Sequence, residues 1–100
     1  MKEVTVQELK ALKDSNADFQ LIDVREEHEF DEANLGGLLI PLGEILDRAE
    51  EVNKDKPVVI HCRSGKRSAT AIQALETQLG YKNLANLKGG ILAYSEEIGL

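Results

Sequence analysis

The sequence predicts an α/β fold in three layers, α/β/α, with a parallel sheet covered by helices on both faces. Short apolar and β-branched runs alternate with segments of helical apolar spacing along the 100 residues. Strands joined by crossover helices lie parallel, and such sheets are buried on both sides. The strongest run, Val58-Val59-Ile60-His61, follows Pro57 and leads into a glycine-containing loop and a helix. Apolar residues make up 42% of the chain, enough for one modest core and too many for a disordered chain.

The elements follow in order. Glu3-Val4 is a short edge strand. Thr5-Val6-Gln7-Glu8 has the form of a capping box and opens a helix to about Lys13. Asp18 to Val24 carries Phe19, Leu21, Ile22 and Val24 and reads as a buried strand. The charge-dense stretch Arg25 to Glu32 suits a short helix, broken by Gly36-Gly37. Leu38-Leu39-Ile40 is a strand ended by Pro41. Leu42, Ile45, Leu46, Ala49 and Val52 then recur at helical spacing as far as Asn53. After the Lys54–Pro57 turn and the strand at 58–61, a helix is expected from Ser68, closed by Gly80. Leu84 to Leu87 is the last strand. Gly89-Gly90 precedes a final helix over Ile91 to Ile98.

No repeat, low-complexity tract or linker divides the chain, so residues 1–100 are expected to form a single domain. No apolar run approaches the roughly 20 residues of a membrane span, and the N-terminus has no signal-peptide core, so a cytoplasmic location is expected. The net charge of −6 argues against nucleic-acid or anionic-membrane partners. Against that acidity, the interval between Asp55 and Glu76 holds no acid, yet it contains Lys56, Arg63, Lys66 and Arg67. The single cysteine, Cys62, lies among these cations.

Ligands of parallel sheets gather beyond the carboxyl ends of the strands, which is where Cys62 falls. A loop that wraps into a helix N-terminus aims several N–H groups at one spot, and the helix dipole adds partial positive charge. A thiol there is expected to ionise below the free-cysteine value of about 8.5. The thiolate is the form that attacks another sulfur. Gly65 lets the loop turn tightly. Arg63, Lys66 and Arg67 are candidates to attract an anionic donor, and the sequence does not separate them. The competing reading makes Cys62 a small buried hydrophobe.

The segment Cys62-Arg63-Ser64-Gly65-Lys66-Arg67-Ser68 resembles the active-site loop of single-domain rhodaneses. Leu21-Ile22-Asp23-Val24-Arg25-Glu26 with Glu29-Phe30, Ile40-Pro41-Leu42 and Lys88-Gly89-Gly90 resemble further signatures of that family, in family order. The resemblance implies a rhodanese-like parallel sheet of about five strands between helices. It also implies a persulfide on Cys62, cradled by the amides of Arg63, Ser64, Gly65, Lys66 and Arg67. The implied donor is thiosulfate or a similar small anion, and the implied acceptor is cyanide, a thiol or a protein. No cofactor or metal is implied. The chain departs from the family at Ala33-Asn34-Leu35-Gly36-Gly37, and it has Tyr94 but no tryptophan after its Gly-Gly.

Two other readings compete with this one. A cysteine-dependent phosphatase or arsenate reductase is one; protein tyrosine phosphatases and the cell-cycle phosphatases similar in fold to rhodaneses place five residues between cysteine and arginine. Four separate Cys62 from Arg67, a smaller cradle that suits sulfur better than a tetrahedral oxyanion. Rhodanese-like binding modules often lack the cysteine that is retained here. Around the loop, Asp23 and Arg25 are read either as pocket lining or as structural support, with Arg25 paired to Glu26 or Glu29. Ser68 is read as the helix cap, with donation to a bound sulfur as the alternative for it and Ser64. His61 points to the opposite face from Cys62 and is read as structural. His28 is read as solvated.

Overall fold

The computed structural model describes residues 1–100. Five strands form one parallel sheet: β1 (Glu3–Val4), β2 (Gln20–Asp23), β3 (Leu38–Leu39), β4 (Val58–His61) and β5 (Leu84–Leu87). Their spatial order is β1-β5-β4-β2-β3, so β4 is the central strand. Four helices accompany it: α1 (Val6–Asp14), α2 (Glu27–Glu32), α3 (Lys66–Leu79) and α4 (Gly90–Glu97). The expected three-layer architecture and its five strands are present.

Side-chain alternation on β4 divides the core. Val58, Ile60 and Cys62 face one layer, where α3 contributes Ala71, Ile72 and Leu75. Val59 faces the other, against Val6 and Leu9 of α1 and Ile91 and Tyr94 of α4. Period-two alternation therefore seats Cys62 on the α3 side and turns His61 away from it. The capping box of α1 is formed: Thr5 Oγ1 accepts from Glu8 N–H at 3.1 Å, and Glu8 Oε1 accepts from Thr5 N–H at 2.9 Å. Gly80 closes α3 at φ 72°, as its C-cap role requires.

Two expectations are corrected. No α-helix runs from Leu42 to Asn53. The segment forms two 3-10 turns, Leu42–Glu44 and Ala49–Glu51. The apolar pairs Leu42/Ile45 and Ala49/Val52 are each three apart, which matches three residues per turn. Ile45 N–H donates to the Leu42 carbonyl and Val52 N–H to that of Ala49. In addition, α3 begins at Lys66, not at Ser68. Gly65, at φ 104°, occupies the N-cap position, and Ser68 lies inside the first turn. A left-handed cap of this kind needs glycine and lets the helix start two residues earlier.

Candidate functional site

The carboxyl ends of β2 and β4 and the amino end of α3 meet at Cys62. The Cys62 side chain is only 1% exposed. Its Sγ accepts from Gly65 N–H at 3.1 Å and from Ser68 N–H at 3.4 Å, and Ser68 Oγ lies 3.4 Å away. Burial pushes the thiol up. Donation from the Ser68 hydroxyl and from the N–H groups of Ser68, Gly65 and Ser64 outweighs it, and the thiol is lowered below its ordinary value. The lowering comes from hydrogen bonding by the loop and the first helical turn.

The loop's amides can face the sulfur because its carbonyls are occupied elsewhere. Ile91 N–H donates to the Cys62 carbonyl at 2.9 Å and Leu92 N–H to the Arg63 carbonyl at 3.1 Å. These donors belong to the first turn of α4, which has no preceding helical carbonyls to serve. Gly90 makes the approach possible: at φ 61°, a Cβ there would lie 2.6 Å from the Cys62 carbonyl oxygen. The Gly89-Gly90 pair thus does more than break the chain. It brings α4 onto the back of the sulfur-bearing loop.

The three cations divide. Arg67 is held in a two-pronged ion pair with Glu29 of α2, at 2.8 and 2.9 Å. The Arg67 guanidinium holds the Glu29 carboxyl down to about 2. Arg63 and Lys66 are exposed and form no ion pair. Arg63 lines a cleft of about 370 Å³ beside the loop, together with Arg25, Glu29, Glu32 and Leu92. Ser64 is exposed at the loop tip.

Asp23 and Arg25 form a buried pair, Arg25 also borders the cleft, and its partners differ from those expected. Arg25 Nη2 lies 2.7 Å from Asp23 Oδ2, and both side chains are buried. The same guanidinium donates to the carbonyls of Ala33 and Glu29 at 2.8 and 3.4 Å. An i,i+4 pair with Glu29 requires Arg25 to be helical, but α2 starts only at Glu27. Ser68 also corrects its assigned role. It does not cap α3; its hydroxyl lies between Cys62 Sγ and Asn86 Oδ1. His61 is fully buried, with Nε2 3.7 Å from Asp23 Oδ2 and no hydrogen bond at either ring nitrogen. Burial pushes its imidazole below the ordinary histidine value. His28 is exposed.

Sequence reasoning missed Asn86. It sits in β5, is 4% exposed, and bridges Ser68 Oγ at 2.6 Å to the Gly65 carbonyl at 3.0 Å. A usable signal was present: asparagine is disfavoured inside strands, and a buried amide needs partners.

The family described as "Rhodanese-like domain" matches residues 5–97. A protein of Allochromatium vinosum named "Sulfurtransferase" is 40% identical over 79 residues, covering 78% of this chain and 73% of that protein. "Putative sulfur carrier protein YrkF" of Bacillus subtilis is 36% identical over 90 residues. That match covers 89% of this chain, which spans only 48% of that protein. A crystal structure of a rhodanese-like domain protein from Staphylococcus aureus superposes with a TM-score of 0.87 at 32% identity, covering 98% of this chain and 95% of that one. No helix is long and apolar enough to cross a membrane.

Proposed function

The chain belongs to the rhodanese-like domain family, and on that footing we propose that it is a sulfurtransferase carrying sulfane sulfur as a persulfide on Cys62. The observation that carries the reading is the buried Cys62 sulfur at the focus of the Gly65 and Ser68 N–H groups. The names of the two relatives, a sulfurtransferase and a sulfur carrier, support the same chemistry.

In the first half-reaction the Cys62 thiolate attacks the outer sulfur of thiosulfate or a similar anionic donor. The new S–S bond forms as the old one breaks, and sulfite leaves with the bonding electron pair. The persulfide's charge then sits on its outer sulfur. The amides of Lys66 and Arg67 are the first two of α3, where no helical carbonyl precedes them. They and the helix dipole can stabilise that charge. Arg63 and Lys66, the cations without partners, draw the anion in. Arg67 acts mainly through Glu29, as a strut between loop and α2. In the second half-reaction cyanide, a thiol or a protein thiol attacks the outer sulfur, and Cys62 leaves as thiolate. No cofactor enters either step.

Turnover of thiosulfate and cyanide to sulfite and thiocyanate, lost in Cys62→Ser, is the expected result. Background turnover by the wild type with thiosulfate and persulfide donors alike would overturn the reading. Cys62-dependent hydrolysis of a phosphate ester would replace it with the phosphatase alternative.

A further inference from the structure

Asn86 lies on a different strand from Cys62, and nothing in the mechanism above uses it. Its orientation is fixed by chemistry. Asn86 Nδ2 faces the Gly65 carbonyl at 3.0 Å; the flipped amide would set two acceptor oxygens against each other. Oδ1 therefore faces Ser68, at 2.6 Å from Oγ. A serine hydroxyl has one proton to donate. Two acceptors compete for it, Asn86 Oδ1 at 2.6 Å and Cys62 Sγ at 3.4 Å. The short contact has the length of a full O–H···O bond, so the proton lies toward Asn86. A lone pair of Ser68 Oγ then faces the sulfur.

That arrangement suits a protonated sulfur, whose S–H can donate to Ser68 Oγ. It does not suit a thiolate, where two electron-rich atoms would face each other. Rotation of the hydroxyl restores a donor to the sulfur and leaves Asn86 Oδ1 without its proton. We propose that Asn86 is a positioning residue that acts on Cys62 through Ser68: it holds the hydroxyl proton while the sulfur is a thiol or carries a second sulfur, and yields it to the free thiolate. The inference rests on the proposed persulfide chemistry for its purpose. In the persulfide the inner sulfur is neutral and the charge lies outward, so the hydroxyl returns to Asn86. When the acceptor removes the outer sulfur, the proton swings back and stabilises the departing thiolate. Asn86 thus lets one serine serve two states of the same sulfur.

The test reads Cys62 itself and does not need sulfur transfer, so its failure and that of the proposed function are separable. Alkylation by iodoacetamide is followed against pH in the wild type, Asn86→Ala, Ser68→Ala and the double variant. Removing Asn86 has two effects. Loss of the Gly65 anchor acts whether or not Ser68 is present. Release of the hydroxyl acts only when it is. The charged groups flanking the sulfur, Arg67 with Glu29 and the unpaired Arg63 and Lys66, are common to all four proteins. The midpoint shift caused by Asn86→Ala should be about one pH unit further downward with Ser68 present than without it, tenfold in thiolate fraction. Equal shifts in both backgrounds, or a relative rise, overturn the proposal. If Asn86→Ala fails to fold, Asn86→Leu removes the acceptor at similar volume. The wild type gives an independent reading by NMR: the Asn86 side-chain amide resonances should move at the Cys62 midpoint, and resonances that stay fixed contradict the account.

Discussion

Glu29→Gln removes the charge that ties α2 to the sulfur-bearing loop while keeping the side chain's shape. The two contacts to Arg67 are 2.8 and 2.9 Å. Hydrogen bonding from Arg67 is the main cause that lowers the Glu29 carboxyl from 4.5 to about 2. A carboxyl held down in the folded state stabilises that state above its unfolded value. The contribution is lost as pH falls through the folded value. The fall corresponds to roughly 3 kcal/mol without solvent screening. The Arg67 side chain is 34% exposed and that of Glu29 19%, so water screens the pair and about 1–2 kcal/mol should remain. Urea unfolding of wild type and variant from neutral to acid pH measures it. The wild type should be more stable by that amount near neutrality, with the gap constant down to about pH 5 and then shrinking toward pH 2. A gap that does not change with pH would mean that the variant disturbs packing and that the ion pair contributes nothing.

Three further outcomes follow from the same geometry. Arg25→Met leaves the buried Asp23 carboxylate without its partner and should cost about 3 kcal/mol by chemical denaturation, with Asp23→Asn added in the same chain restoring part of it; a neutral effect would mean the pair is not needed. Gly90→Ala forces a side chain into left-handed backbone against the Cys62 carbonyl and should cost about 2–4 kcal/mol. The folded fraction should also alkylate at Cys62 more slowly, and unchanged reactivity would disconnect α4 from the loop. Finally, wild-type Cys62 should alkylate with a midpoint below that of the same thiol in the urea-unfolded chain; coincident midpoints would mean that the amides do not stabilise the thiolate.

Legibility from sequence followed the range of the interactions. The strands were readable because apolar runs between turn residues report burial directly, and the α1 cap because both its partners lie within four residues. The start of α3 is not legible locally because Ser68 is a favoured N-cap, whereas the left-handed Gly65 sets the boundary and leaves Ser68 to Asn86. The segment after Pro41 is ambiguous in sequence because spacings of three satisfy both α and 3-10 periodicities over a few residues. Cys62 and its loop were legible as a strand–loop–helix unit. Their long-range supports were not: Glu29 reaches Arg67 across 38 positions and Asn86 reaches Ser68 across 18. Such contacts are set by how the sheet orders β2, β4 and β5, which local spacing does not report.

The central claim is that Cys62 carries sulfur, and intact-mass spectrometry after incubation with thiosulfate tests it most directly. The wild type should gain the mass of one sulfur atom, lose it on addition of cyanide, and show neither change as Cys62→Ser. A wild-type mass that stays fixed with thiosulfate and with a persulfide donor, or a gain that persists in Cys62→Ser, would contradict the account.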